Sequence, residues 1–156
     1  MGTDALDRAV GGARRILLDT SALIAYHSTL EQVHPLARHL LGRIEDDDDP
    51  LSGFFSVVSA AELLVRPYQA GARELTLMHT FLTGFPNLTA LHMDLTVAAQ
   101  AATIRAITGL RLPDAIIVAS GLLADCEAIV SNDAKWKTKM PDIFKEVAWI
   151  FLGDYV

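Results

Sequence analysis

The chain is almost without cysteine: Cys126 is its single thiol. One thiol makes no intrachain disulfide and no cysteine-based zinc site. Cations are scarce as well, with 13 Lys and Arg against 19 Asp and Glu, for a net charge of −6. A protein that grips long nucleic acid through its phosphates carries a basic surface, because each neutralised phosphate adds affinity by counterion release. The charge balance therefore excludes a high-affinity, sequence-blind binder of that kind, although bound cations would reconcile it with a nuclease. Long apolar runs are missing. The longest, 16–26 and 115–124, are broken by Asp, Ser or Gly and fall short of the ~20 residues that cross a bilayer. Residues 1–13 hold no apolar segment of the signal-peptide type. The glycines form no phosphate-cradling pattern, which counts against a nucleotide-binding protein. These absences fit a protein of the reducing cytoplasm with no membrane segment.

What is present reads as one domain: 156 residues, 51% of them hydrophobic, enough to bury a sizeable core and too apolar for disorder. Residues 1–14 read as an irregular or loosely attached extension, with Gly11-Gly12 as a break before the first strand. Apolar runs at 15–19, 54–58, 88–92, 128–131 and 147–152 predict strands. Between them, residues 21–28, 33–45, 59–70, 73–82, 96–108 and 113–124 predict helices, with a further short one at 141–144. Leu36, Leu40, Leu41 and Ile44 mark the apolar face of the second helix, and Pro113 suits a first helical position. Strands that are apolar throughout and alternate with helices imply a parallel sheet covered on both faces. Ligands of such sheets bind at the carboxyl ends of the strands.

Four carboxylates stand where an apolar strand meets a turn or helix. Asp19 ends Ile16-Leu17-Leu18, and Asp133 ends Ile129-Val130-Ser131-Asn132. Glu62 lies one helical turn beyond the second strand, and Asp114 follows Leu112-Pro113 at the opening of a helix. An ionised acid in a segment that must be buried loses hydration worth several kcal/mol unless something compensates it. With few cations nearby, a divalent metal is the natural compensation, and hard oxygen ligands suit Mg²⁺ or Mn²⁺. The plainer alternative is that Asp19 and Asp114 merely cap helices.

These segments resemble the PIN-domain ribonucleases, in particular the VapC-type toxins of toxin–antitoxin pairs. The likeness is carried in family order by Leu17-Leu18-Asp19-Thr20-Ser21-Ala22, Ser59-Ala60-Ala61-Glu62-Leu63-Leu64, Leu112-Pro113-Asp114-Ala115-Ile116-Ile117 and Ile129-Val130-Ser131-Asn132-Asp133. It implies an α/β fold, a PIN-like three-layer sandwich with a central parallel five-stranded sheet at 15–156, preceded by residues 1–14 as an N-terminal extension. It implies a Mg²⁺- or Mn²⁺-dependent endoribonuclease acting on single-stranded or loop RNA. Such a protein would be a homodimer and would be held in check by a cognate antitoxin. A PIN-fold interaction module, or an RNA-processing nuclease that is no toxin, is the alternative.

On this reading Asp19 and Asp114 are central metal ligands, and Asp133 completes the set directly or through water. Glu62 either binds a second ion or orients the attacking water. Ser21 and Ser131 hydrogen-bond carboxylates or waters. Lys135 and Trp136 stand where many relatives have an acid and an aromatic, leaving one carboxylate fewer for a second ion. Arg66, Arg111 and Lys135, together with Lys137 and Lys139, flank the motifs and are candidates for phosphate contact, with plain surface charge as the alternative. Trp136 either stacks on a base or packs over the sheet edge. His34 and His39 read as solvated helix residues, and Asp46–Asp49 as a solvated loop.

Overall fold

Ile16, Leu17 and Leu18 are fully buried, and they feed two different cores: Ile16 and Leu18 one, Leu17 the other. Successive side chains of a strand point to opposite faces, so a strand with a core on each side is apolar at every position. The computed structural model describes residues 2–156, and these three residues lie in β1 (Arg15–Leu18), the middle strand of five. The others are β2 (Ser52–Ser56), β3 (Leu88–Leu91), β4 (Ala128–Ser131) and β5 (Ala148–Phe151). Their order is β3-β2-β1-β4-β5 and every pairing is parallel, with Leu17 facing Phe54 on one side and Ile129 on the other. The chain thus runs outward from β1 through β2 and β3, then returns to the far side of β1. The carboxyl ends of β1 and β4 form the switch point, where doubly wound sheets place their ligands. The α/β fold with its all-parallel five-stranded sheet is as the sequence implies.

Helices cover both faces. On one lie α2 (Thr20–His27), α3 (His34–Glu45) and α4 (Val57–Ala70), which contribute Leu23, Leu40, Leu41, Ile44 and Leu63 to the first core. On the other lie α6 (Leu95–Thr108) and α7 (Leu112–Leu123), with Ile104, Ile117 and Val118 in the second. In α7 every residue from 115 to 121 is buried. Gly121 lets it approach β1: a Cβ there would meet Leu17 Cδ2 at 2.7 Å. That close seating holds the first turn of α7, and Asp114 with it, above the strand ends. Between the layers in sequence comes α5 (Ala72–Gly84), which packs on α4 and has no buried residue of its own. Among the described residues, no single helix is long and apolar enough to cross a membrane.

Several expectations are corrected. Residues 3–10 are not loose but form α1 (Thr3–Val10), whose Leu6 and Val10, one turn apart, are 0% and 4% exposed in the first core. Met1, the first residue of the expected extension, lies outside the described residues. His39 is not a solvated side chain: its Nε2 sits 2.9 Å from Asp7 Oδ1 of α1, and Arg43 Nη1 donates to the same oxygen at 3.0 Å. His34 likewise turns inward, with Nδ1 2.9 Å from the carbonyl of Ala25. No helix forms at 141–144, where residues 141–143 form a turn; a short helix the sequence did not indicate stands before it, α8 (Ala134–Lys139). The Asp46–Asp49 run is a loop, with Asp49 accepting from Arg43 Nε at 2.8 Å. Because α1 is seated in the core, Leu6→Ala is expected to destabilise the protein by about 2–5 kcal/mol, the usual cost of truncating a buried leucine. Urea unfolding measures this, and a change within a few tenths of a kcal/mol would return the segment to a loose arm.

Candidate active site

Asp19 leaves β1 and begins α2 in one step. Its backbone is extended (φ −76°, ψ 173°), and its Oδ1 accepts from the amide of Ala22 at 2.8 Å, the N-cap bond of α2. The capping reading therefore holds for this residue, but capping does not exhaust its carboxylate. Oδ1 also accepts from Ser21 Oγ at 2.7 Å, and Oδ2 accepts from Ser131 Oγ at 2.7 Å. The two serines are in turn fixed by backbone donors: Asn132 N donates to Ser21 Oγ at 2.7 Å, and Asp133 N to Ser131 Oγ at 2.9 Å. β1 and β4 are thus stitched together at their carboxyl ends through Asp19. The carboxylate is only 3% exposed. Burial pushes its pKa up from 3.8 to about 6; hydrogen bonds from Ser21, Ala22 and Ser131 pull it back, and the nearby Asp133 raises it again. No cation lies within ion-pairing distance of it among the described residues.

The other three acids surround this point from separate elements. Asp133 ends the β4 segment and caps α8 by accepting from Lys135 N at 2.9 Å. Asp114 occupies the first turn of α7 without capping it; Arg111 precedes the helix and donates from Nε to Asp114 Oδ2 at 3.2 Å. Glu62 projects from the second turn of α4, with Oε1 3.3 Å from Thr20 Oγ1. Arg111 feels three of them: Asp114 beside it holds its guanidinium above the usual pKa, and Glu62 and Asp133 add to this. Four acids from β1, α4, α7 and β4 therefore stand around one sheet edge.

Among the described residues, no three acidic, histidine or cysteine side chains converge at metal-ligand spacing. The donor chemistry nevertheless fits a hard divalent ion. All four groups are carboxylates, and one of them is a buried anion held by hydroxyls and an amide rather than by a positive charge. Asp114 and Asp133 are both partly exposed.

The candidate phosphate contacts other than Lys137, which pairs with Asp154, fall beside two cavities, each of which includes one of the acids. Arg66 and Glu62 line a groove of about 490 Å³ between α2, α4 and α5. Arg111, Lys135 and Asp114 line a smaller cavity of about 180 Å³. Trp136 packs rather than stacks on a base: it is 1% exposed and meets Trp149 edge-on at 6.4 Å. Two polar residues in the motifs escape the sequence reading. Thr20 Oγ1 lies 2.9 Å from the fully buried Ser59 Oγ, one turn before Glu62, and so joins α2 to α4 below that acid. Their place inside the first two motifs is the signal that marks them.

Comparison with curated proteins gives no match. Solved structures match in fold. A toxin–antitoxin complex from Klebsiella pneumoniae aligns over 85% of this chain and 94% of its own, with TM-score 0.63 and 21% identity. Mycobacterium tuberculosis VapC20, described as a sarcin–ricin loop cleaving toxin, aligns over 79% of this chain and 93% of its own, at 0.63 and 16%. VapBC2 from Rickettsia felis, bound to a DNA fragment from its promoter, aligns over 86% and 96%, at 0.64 and 12%. At these identities the likeness is one of fold. The family model for the PIN domain matches residues 16–139, a span that takes in all four acids, both serines and the switch point, so this chain belongs to the PIN-domain family.

Proposed function

We propose that the protein is a metal-dependent endoribonuclease that cleaves single-stranded or loop RNA, and that it is the toxin of a type II toxin–antitoxin pair. The observation that carries this is Asp19: a buried carboxylate without a cation, placed at the switch point with Asp133 near enough to raise its pKa, beside an Arg111 that feels Asp114, Glu62 and Asp133 together. Asp19, Asp114 and Asp133 would hold Mg²⁺ or Mn²⁺. When bound, such an ion supplies a lowered pKa for water and a positive seat for the phosphate. The chain's own groups do the rest. Ser21 and Ser131 fix the orientation of Asp19. Glu62, exposed and accepting at Oε1 from Thr20 Oγ1, orients the attacking water and takes its proton. Arg66, Arg111 and Lys135 bind phosphates on either flank.

The loop-RNA reading draws support from VapC20, a sarcin–ricin loop cleaving toxin, and the antitoxin from the toxin–antitoxin complexes of like fold. The groove beside Glu62 suits a partner segment, since Ile24, Leu30, Leu63 and Met78 make it largely apolar while Arg66 sits at its polar end. Helix α5, apolar in composition yet without a buried residue, supports self-association through the α4–α5 layer. Light scattering at tens of micromolar is expected to report dimers, and the product of a small adjacent reading frame to co-purify with the chain; monomers, or a failure to co-purify, would remove the corresponding partner. Action is in the cytoplasm, where the RNA is.

One observation favours the interaction-module reading: the acids do not converge at ligand spacing. Cleavage of a single-stranded RNA decides between them. The nuclease reading expects cleavage with manganese and none with EDTA, whereas a module expects none in either.

A further inference from the structure

Helix α8 has only six residues, yet its side chains sort strictly by direction. Trp136 and Met140, four residues apart, are 1% and 0% exposed and anchor it in the second core. Lys137 turns away and pairs with Asp154. Lys135, Thr138 and Lys139, spaced i, i+3 and i+4, line the cavity of about 180 Å³ with Gly109, Arg111 and Asp114. Neither Lys135 nor Lys139 has an acidic partner within ion-pairing distance among the described residues. Arg111 uses only Nε on Asp114, so its terminal nitrogens make no hydrogen bond there.

In a chain of net charge −6 with 13 cations, three cations around one small cavity against a single carboxylate are a local reversal of sign. Apart from Asp114, the cavity's three positive groups call for an anion. Thr138 adds a hydroxyl donor, and Asp114 makes this cavity continuous with the acid cluster. A polyanion threading from the acids therefore meets it next.

We propose that Lys135, Thr138, Lys139 and Arg111 form a phosphodiester subsite, which holds the RNA backbone one or more nucleotides from the bond that is cut. This rests on the nuclease reading above, and adds to it the direction in which the substrate leaves the acids. Lys135 and Lys139 are exposed, so a K135Q/K139Q variant keeps the fold. Its binding is measured by the anisotropy of a labelled single-stranded oligoribonucleotide in EDTA, so that cleavage plays no part.

The slope of log affinity against log salt is expected to fall in magnitude by about 1.4, from ~0.7 per lost phosphate contact on a single strand. Affinity is expected to drop roughly 25-fold at about 0.1 M salt for the same reason. K137Q, which loses the cation facing Asp154, is expected to leave both unchanged. An unaltered slope, an equal loss in K137Q, or no binding by the parent would overturn the proposal. So would displacement of the RNA by poly-glutamate at equal charge, which would mark the cavity as a groove for an acidic peptide. The double variant should keep the parent's manganese-induced rise in melting temperature, and manganese-dependent cleavage by the parent is scored separately. A failed subsite is thereby distinguished from a failed nuclease.

Discussion

Asp114→Asn is expected to reduce manganese-dependent RNA cleavage by more than about 100-fold, since groups that merely support metal ligands already carry 10–100-fold. The fold should survive. Asp114 is not the cap of α7, and its bond to Arg111 joins it to a side chain that is 71% exposed, a pairing worth at most a few tenths of a kcal/mol. Placing a negative charge in the first turn of α7 adds about 0.3–1 kcal/mol through the helix dipole, and Asn forfeits that. A loss of stability near 1 kcal/mol with a loss of activity above 100-fold would therefore locate the effect in the charge. Asp114→Asn also frees Arg111, a phosphate contact, from its partner. Arg111→Gln isolates that effect, because it breaks the same pair and leaves the carboxylate. That variant is expected to weaken RNA binding while cleavage at saturating RNA stays within about tenfold of the parent, as for loss of one phosphate contact. A folded Asp114→Asn protein with parental activity would show that this carboxylate holds no ion.

The sheet was legible because its strands are buried on both sides. Ile16-Leu17-Leu18 and Ala128-Ile129-Val130 need no alternation to be recognised, and each apolar run stops at a polar residue, Asp19 or Ser131, that is itself buried. The acids were legible for the same reason, as charged groups where an apolar run stops. What escaped depends on contacts distant in sequence. Leu6 and Val10 are two apolar residues on one turn, too few for a periodic signal, and α1 is held by Asp7 meeting His39 and Arg43 more than thirty positions away. Helix α8 buries only Trp136, with Met140 just past its end, and its cap is Asp133, whose oxygen reads equally well as a metal ligand. His34 and His39 looked solvated because a helical wheel shows which face they share and not that another helix covers it. Arg111's place among three acids likewise follows from the packing of α7 on β1, which no local pattern discloses.

In the absence of divalent ions, Asp19→Asn is expected to melt at or above the parent at pH 7. The carboxyl titrates at 3.8 when unfolded and at about 6 in the folded protein, chiefly because burial penalises its charge. A group whose folded-state pKa is raised in this way favours folding while protonated. Its penalty begins as pH passes about 4, grows through pH 6 and is complete above it. Two units of difference correspond to a penalty on the order of 3 kcal/mol at neutral pH. Asn carries no such penalty. Its oxygen still accepts from Ser21 and the Ala22 amide, while its NH₂ faces Ser131 Oγ, a hydroxyl able to accept as well as donate. Exchanging that one bond costs about 1 kcal/mol and offsets part of the gain. The remainder corresponds to a rise of a few degrees, at about 2–4 °C per kcal/mol for a chain of this size. Below pH 4 the parent's carboxyl is neutral in both states, and its advantage over the variant should return. Manganese reverses the order at pH 7. An ion that binds only the native parent adds RT ln(1 + [L]/Kd), about 2.7 kcal/mol at a hundredfold excess over Kd and on the order of 1 kcal/mol at a few-fold excess. The variant, lacking the central anion, should gain much less. Thermal melts of both proteins at pH 4 and pH 7, with and without manganese, measure all of these differences. Equal manganese shifts in parent and variant would place the ion elsewhere, with the exposed Asp46–Asp48 carboxylates as the next candidates, and Asp19 would lose its part in the site.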